Sequence, residues 1–215
     1  WQGVENLTGT TGANVFRYEG ATASLSGTIT GGGGTDTVSG TAHALAFAVT
    51  GANAGTVTSN AVATTFTDIT HLTGSSAADS YTFTAGSSLS GNASGGAGAD
   101  TFTLLGDASA AAWQGGADAD VFDLGGFTLT GAIAGGTTGT DNDTLAGATA
   151  YAITGANSGT TAQVTGGWSQ IENLTGTTGA DTFTVAGGTL SGTVDGLGGD
   201  DLLEGDTGYV ITSAN

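Results

Sequence analysis

The most constraining feature of this sequence is that it repeats itself. Residues 5–16 are ENLTGTTGANVF and residues 172–183 are ENLTGTTGADTF, while AFAVTGAN at 46–53 returns as AYAITGAN at 150–157 and as YVITSAN at 209–215. A chain with internal periodicity folds as stacked copies of one small unit, each of which buries its apolar face against its neighbours. We therefore expect a repeat architecture over residues 1–215, as a single continuous domain.

A shorter period lies within the long one. Its signature is glycine, any residue, Asp or Asn, any residue and a large apolar residue, with the Asx positions at Asn14, Asp36, Asp79, Asp100, Asp120, Asp143, Asp181 and Asp200. Most neighbours are about 19–23 residues apart, and the two double gaps each contain AFAVTGAN or AYAITGAN. Interpreting each of those segments as an extra coil predicts roughly ten coils of about 21 residues.

The pattern within a coil is that of β-strands. In TFTVAGGTLSGTVDG (182–196), Phe183, Val185, Leu190 and Val194 alternate with threonine or with glycine turns, and no stretch has helical periodicity. Alternation with period two predicts strands with one buried face. The sequence thus predicts an all-β fold, a parallel β-solenoid of the β-helix or β-roll type that rises about 4.8 Å per coil.

The composition fits a folded and strongly acidic chain. It has 42 glycines, no proline and no cysteine, but 38% of its residues are hydrophobic, which argues against a disordered linker. The net charge of −18 excludes nucleic acid and anionic membranes as partners, because both need basic patches. No apolar run reaches the roughly 20 residues of a membrane span. The charge predicts cations as partners, and the start at Trp1 suggests a piece of a longer protein.

Several segments match the nonapeptide G-G-x-G-x-D-x-U-x, where U is large and apolar. GGGGTDTVS (31–39) and GGAGADTFT (95–103) match fully, and there are near matches at 115–123, 138–146 and 195–203. These segments resemble the calcium-binding RTX repeat of haemolysin-type secreted bacterial proteins and the giant β-strand-repeat surface proteins. The resemblance implies Ca²⁺ held between stacked turns by Asp carboxylates and backbone carbonyls. The candidate ligands are Asp36, Asp100, Asp118, Asp120, Asp141, Asp143, Asp195 and Asp200.

Two explanations of these aspartates stay open. Stacking would place successive carboxylates about 5 Å apart, where they repel unless a cation intervenes, and Ca²⁺ accepts many oxygen ligands with flexible geometry. Asp and Asn also favour turns through hydrogen bonds to nearby backbone N–H groups, with no metal. One motif per coil predicts a single, interrupted row on one edge of the molecule. His43 and His71 have no cysteine nearby, and Trp1, Trp113 and Trp168 are expected to be cap or core residues.

These features predict a structural module of a secreted bacterial repeat protein, such as an adhesin stalk, a surface layer or an extracellular filament. Its partners would be calcium ions and neighbouring repeats or copies of itself end to end, and its location the cell surface or beyond. The alternative is a β-solenoid that binds ice or surface glycans through outward threonine rows. A polysaccharide-active enzyme is disfavoured, because the chain has one Arg, no Lys, and acids confined to turns. We therefore expect no enzymatic activity.

Overall fold

The computed structural model describes residues 4–136 and 141–205, and these residues form strands and turns without any helix. The strands, in chain order, are β1 (Asn6–Thr8), β2 (Val15–Tyr18), β3 (Thr28–Thr30), β4 (Thr37–Gly40), β5 (Leu45–Gly51), β6 (Ala54–Ser59), β7 (Val62–Thr67), β8 (His71–Thr73), β9 (Ser80–Phe83), β10 (Ser88–Ala97), β11 (Thr101–Leu104), β12 (Ala108–Ala117), β13 (Val121–Asp123), β14 (Leu129–Gly136), β15 (Thr144–Ala146), β16 (Ala150–Gly155), β17 (Ser158–Thr161), β18 (Val164–Ser169), β19 (Asn173–Thr175), β20 (Thr182–Val185), β21 (Val194–Asp195) and β22 (Leu202–Gly205). The predicted all-β class is confirmed.

The strands form two open sheets of eleven strands each. The first sheet has the order β1-β3-β7-β6-β5-β9-β11-β13-β15-β19-β21, and the second has the order β2-β4-β8-β10-β12-β14-β18-β17-β16-β20-β22. Neighbouring strands are parallel except in four pairs, β5–β6, β6–β7, β16–β17 and β17–β18. The sheets are therefore mostly parallel, as the repeat pattern predicts.

The chain passes back and forth between the two sheets. Each crossing from the first sheet to the second leaves at the same edge, because all first-sheet strands except β6 run in one direction. We call this the forward edge, and we call the opposite edge, where the chain returns to the first sheet, the return edge. The turns before β4, β20 and β22 lie on the forward edge, and those before β9, β11, β13, β15 and β19 lie on the return edge.

The two segments interpreted as extra coils are not coils, so that interpretation is wrong. AFAVTGAN begins an antiparallel meander, β5–β6–β7, that stays within the first sheet, and AYAITGAN begins the meander β16–β17–β18 in the second sheet. The tight turn between β6 and β7 has positive φ at both Asn60 (50°) and Ala61 (62°), the backbone that a two-residue hairpin loop requires. Each meander adds two strands to one sheet, so both sheets reach eleven.

The core lies between the sheets and is built from in-register aromatic residues. Phe47, Tyr81, Phe102 and Phe122 stack in succession with ring centroids 4.5–5.0 Å apart. Of the tryptophans predicted as cap or core residues, Trp113 and Trp168 are core residues, and Trp1 lies outside the described residues. Phe183 is buried as predicted. Val194 was predicted to point inward but is exposed, because β21 is the last described strand of the first sheet and has a described neighbour on one side only.

Candidate functional site

The candidate site is built from the turns that precede the motif strands, where the aspartate side chain folds back over a glycine. A Cβ atom added to Gly95 would lie 2.0 Å from Oδ2 of Asp100, and one added to Gly115 would lie 2.1 Å from Oδ2 of Asp120. The same holds for Gly31 and Asp36, at 2.6 Å. The first glycine of the motif, five residues before the aspartate, is therefore required because the carboxylate occupies the space that a side chain would fill.

The first oxygen of each carboxylate links one pass of the chain to the next. The backbone N–H of Asp79 donates to Oδ1 of Asp100 (2.7 Å), that of Asp100 to Asp120 (2.8 Å), and that of Asp120 to Asp143 (2.8 Å). The N–H of Asp143 donates to Oε2 of Glu172 at 2.9 Å and ends the series. We call these five side chains, which lie on the return edge, the carboxylate row.

Shorter series of the same kind lie on the forward edge. The N–H of Asn14 donates to Oδ1 of Asp36 (2.9 Å), and the N–H of Asp181 donates to Oδ1 of Asp201 (3.0 Å). The prediction of a single row on one edge is therefore wrong, since Asp36 and Asp100 lie on opposite edges. The motif precedes second-sheet strands near both ends and first-sheet strands in the middle, and residue spacing alone does not reveal which sheet follows.

The second oxygen divides the aspartates into two classes. Oδ2 of Asp79 accepts the N–H of Ser75 (2.5 Å), and Oδ2 of Asp181 accepts the N–H of Thr177 (2.7 Å). Within residues 4–136 and 141–205, four other aspartates have a buried Oδ2 without a hydrogen-bond partner; these are Asp36, Asp100, Asp120 and Asp143. We call these four atoms the open oxygens.

The second glycine of the motif accounts for three of the open oxygens. Gly32, Gly96 and Gly116 stand four residues before Asp36, Asp100 and Asp120, in the place of Ser75 and Thr177, and have φ values of +89°, +109° and +124°. Ser75 and Thr177 do not adopt this left-handed backbone. Turns with two successive glycines thus leave a carboxylate oxygen open, whereas turns with Ser or Thr satisfy it.

Each open oxygen also lies near a backbone carbonyl. The Cβ position of Gly95, beside Asp100, is 2.6 Å from the carbonyl oxygen of Gly115, and that of Gly115, beside Asp120, is 2.3 Å from the carbonyl oxygen of Gly135. Two buried acceptors that crowd one point are unfavourable unless a proton or a cation lies between them. The arrangement can therefore hold either a protonated carboxyl group or a cation that prefers oxygen.

The electrostatics of the row favour uptake of positive charge. Burial, together with the neighbouring charges of Asp100, Asp143 and Asp118, raises the pKa of Asp120 to about 8. Burial likewise raises the pKa of Asp100 to about 7 and that of Asp143 to about 6. Burial also raises the pKa of Asp79, but N–H bonds from Leu45 and Ser75 lower it in part.

The eight predicted ligands fall into three groups. Asp36, Asp100, Asp120 and Asp143 carry the open oxygens. Asp118 and Asp141 lie beside the carboxylate row, where their charges raise the pKa values of row members. Asp195 and Asp200 are exposed in the last described turn, where Oδ1 of Asp195 accepts the N–H of Leu197 (2.9 Å).

Sequence reasoning left Asp79, Asp181, Asp201 and Glu172 out of the candidate set. Asp201 takes the place expected for Asp200, and the five-residue interval from Gly196 identifies it, since a Cβ at Gly196 would lie 2.1 Å from Oδ2 of Asp201. Gly167 stands five residues before Glu172, but a Cβ there would meet Gly159 and Thr160 and not the Glu172 carboxylate. The only sequence signal that points to Glu172 is the repeated ENLTG segment. In the structure, Oε1 of Glu172 accepts a hydrogen bond from the side-chain amide of Asn157 at 2.8 Å.

No group of three or more acidic, histidine or cysteine side chains in residues 4–136 and 141–205 is placed to hold a metal ion. A cation at an open oxygen would therefore need backbone carbonyls as its further ligands. The histidines are engaged elsewhere, with His43 Nε2 2.6 Å from Ser59 Oγ and His71 Nδ1 2.9 Å from Thr70 Oγ1.

The chain matches no model of a known protein family, and no curated protein is significantly similar to it. A helix long and apolar enough to cross a membrane is absent from the described part of the chain. The evidence on function therefore comes from the geometry of the two sheets and their turns.

Proposed function

We propose that this chain is a calcium-stabilised β-solenoid that serves as a structural module of a secreted bacterial surface or filament protein. The observation that carries the proposal is the set of open oxygens, which are buried carboxylate atoms without a hydrogen-bond partner, three of them in successive turns of the return edge and one on the forward edge. A stack of this kind can lengthen without a new fold, because each unit contacts only its neighbours. A scaffold or stalk needs this property.

The solenoid part of the proposal is supported by strand order and register. The chain visits the two sheets alternately, and equivalent residues of successive passes pair directly, as Tyr81, Phe102 and Phe122 do. Parallel in-register pairing stacks like residues on like, so the same turn recurs at the same edge. Coils related in this way would bury aromatic rings inside and align the motif aspartates outside them.

The calcium part is supported by the ligand chemistry. Ca²⁺ prefers six to eight oxygen ligands in flexible geometry, and glycine turns offer backbone carbonyls with little steric hindrance. Asp100 and Asp120 each place an open oxygen near such a carbonyl. The exposed Asp118 adds negative charge beside both. Calcium outside the cell would stabilise the fold by mass action after export.

The test is thermal unfolding of the purified chain, monitored by circular dichroism. It is measured in EDTA, in about 2 mM Ca²⁺ and in the same concentration of Mg²⁺. Calcium should raise the midpoint, and the double variant Asp100→Asn with Asp120→Asn should lose most of that increase. The matched control is Asp195→Asn with Asp200→Asn, which removes the same charge at exposed positions and should keep the increase. Identical curves in EDTA and in Ca²⁺ would overturn the calcium proposal.

The alternative of an ice-binding face is less well supported. Thr56, Thr82 and Thr103 belong to one outward row of the first sheet, but Ala48 lies between the first two. The row continues from Thr103 to Asp123 and then to an alanine. A continuous flat threonine face is therefore not present along this row, and we favour the structural role.

A further inference from the structure

The motif turns with a glycine five residues before the Asx residue differ at the residue that follows this glycine. We call it the second residue of the turn. It is glycine in the turns of Asp36, Asp100 and Asp120, and it is a hydroxyl residue in three other turns, namely Thr10 before Asn14, Ser75 before Asp79 and Thr177 before Asp181. Among the described residues, the first three turns carry open oxygens and the other three do not. The type of the second residue therefore separates the two classes of turn.

In the hydroxyl turns, the backbone N–H of the second residue donates to the Asx side chain. The N–H of Thr10 donates to Oδ1 of Asn14 at 3.2 Å, and those of Ser75 and Thr177 donate to Oδ2 of the following aspartate at 2.5 and 2.7 Å. These two aspartates are only 3% and 1% exposed, so they are as deeply buried as those with open oxygens. The N–H thus provides the positive partner that an open oxygen lacks, and burial does not explain the difference.

The hydroxyl group holds the turn in the backbone conformation that aims this N–H at the aspartate. In each hydroxyl turn, the side-chain oxygen accepts the N–H of the residue two positions later, at 3.3, 3.0 and 3.1 Å for Thr10, Ser75 and Thr177. Such a bond from the backbone to a Ser or Thr side chain stabilises a local turn. None of these three residues has a positive φ.

The turns without a hydroxyl at this place have a different backbone. Gly96 and Gly116 are left-handed, and β10 and β12 extend over them, so that the two glycines pair with each other. In contrast, β8 and β19 end two residues before Ser75 and Thr177. Leu197 is the second residue of the last described turn, has no hydroxyl, and is also left-handed, with a φ of 65°. The left-handed backbone therefore accompanies the lack of a hydroxyl group, and not only the lack of a side chain.

We propose that the second residue of the turn determines which turns bind a cation, and that Ser75 and Thr177 close their turns to Ca²⁺. The inference rests on the proposed calcium function and assigns the ion to particular turns. Asp79 and Asp181 have buried carboxylates of the same kind as Asp100, but their own turns supply the donor. A left-handed backbone is unfavourable for an L residue by an amount that corresponds to a roughly tenfold change in affinity. Loss of the hydroxyl bond adds to this cost when a Ser or Thr turn opens.

The experiment uses the purified chain with substitutions at Ser75, and Ca²⁺ alone is the probe. Bound ions are counted by equilibrium dialysis, and thermal unfolding is followed in EDTA and in Ca²⁺. Ser75→Gly lets the second residue become left-handed, so we expect this variant to bind an additional ion per chain. The affinity at this turn should exceed that of the wild type by at least roughly tenfold. The increase in the unfolding midpoint on adding Ca²⁺ should likewise be larger than in the wild type.

Two single substitutions serve as matched controls. Ser75→Thr keeps the hydroxyl group and should bind as many ions as the wild type. Ser76→Gly places a glycine at the neighbouring, exposed serine and should also leave the number of ions unchanged. Asp79→Asn should remove the additional ion from Ser75→Gly but leave the number unchanged in the wild-type background. Thr177→Gly repeats the test in a second turn, which keeps the inference testable if Ser75→Gly does not fold.

The outcomes separate this inference from the calcium proposal. Equal numbers of bound ions in the wild type and in the folded glycine variants would overturn the inference and leave the calcium proposal in place. Loss of an ion on Asp79→Asn in the wild-type background would also refute it, because Asp79 would then bind Ca²⁺ in spite of Ser75. Absence of bound Ca²⁺ from the wild type and from both glycine variants would remove the calcium proposal and the inference together.

Discussion

Asp120→Asn is the substitution that best separates a proton from a cation at the open oxygens. Asp120 is fully buried, its Oδ1 accepts the N–H of Asp100, and its Oδ2 lies near the carbonyl of Gly135. An asparagine amide has the same shape, keeps the accepting oxygen, and offers an N–H to that carbonyl. The variant thus mimics the protonated carboxyl group at every pH.

The magnitude follows from the cost of protonation. A carboxyl group with an ordinary pKa of 3.8 requires about 1.4 kcal/mol per pH unit above that value to take up a proton, or about 4 kcal/mol at pH 7. The asparagine avoids this cost. In EDTA at pH 7–8 we therefore expect Asp120→Asn to raise the free energy of unfolding by about 1–4 kcal/mol, the lower part of the range allowing for relaxation of the row.

The sign of the pH dependence follows from the same pKa values. Because burial raises the pKa of Asp120 to about 8 and that of Asp100 to about 7, the folded state holds more protons than the unfolded state between about pH 4 and pH 8. In EDTA, the contribution of these protonated carboxyl groups to the free energy of unfolding of the wild type should therefore be complete below pH 4. It should fall as the pH rises through this window. The advantage of Asp120→Asn should vanish near pH 4.

The assay is urea unfolding at pH 4, 6 and 8, with EDTA or with Ca²⁺, of the wild type, Asp120→Asn and the exposed control Asp195→Asn. Calcium should stabilise the wild type at pH 8 more than it stabilises Asp120→Asn. The reasoning is refuted if Asp120→Asn destabilises the chain in EDTA by the same amount at all three pH values. That result would mean that the carboxylate is charged and satisfied in the folded state.

Further predictions concern the glycine turn and the aromatic core. Gly115→Ala places a Cβ atom 2.1 Å from Oδ2 of Asp120 and should cost about 3 kcal/mol in urea unfolding. Gly198→Ala, whose nearest neighbour would be 3.8 Å away, should change stability by less than about 0.5 kcal/mol, and equal effects would contradict the steric argument. Phe102→Ala removes a ring stacked on two others and should cost about 3–5 kcal/mol, with Phe102→Leu costing clearly less. A cost below about 1 kcal/mol for Phe102→Ala would show that the stack is not a core.

The strand class and the parallel pairing could be predicted because the apolar residues that follow each motif aspartate recur at a fixed interval. Phe102 and Phe122 follow Asp100 and Asp120 by two residues, and the strands that carry them pair in register. The meanders could not be predicted from the same spacing. A double gap accommodates either an extra coil or two additional hairpin strands of similar length. The Asn60–Ala61 turn, with positive φ at an alanine, has no strong sequence signal.

The candidate site was predictable in its residues but not in its geometry. The motif singled out all four aspartates with open oxygens, and at Asp36, Asp100 and Asp120 it also selects the glycine that makes room for the buried carboxylate, whereas Asp143 lies over Gly135, eight residues before it. It could not show that the aspartates are divided between two edges, which depends on the sheet that each strand joins. It also ranked Asp200 above Asp201, because two adjacent aspartates fit the pattern and only the distance from Gly196 separates them.

The placement of one meander in each sheet limits how such chains can change length. A single meander would leave its sheet two strands longer than the other, a mismatch of about 10 Å at the usual strand spacing. Between the two meanders the sheets already run with this offset, since β9 is the sixth strand of the first sheet and β10, which follows it along the chain, is the fourth strand of the second. The second meander cancels this offset, so a deletion confined to 54–67, which removes β6 and β7 and leaves β16–β18 in place, would end the described stack with sheets of nine and eleven strands.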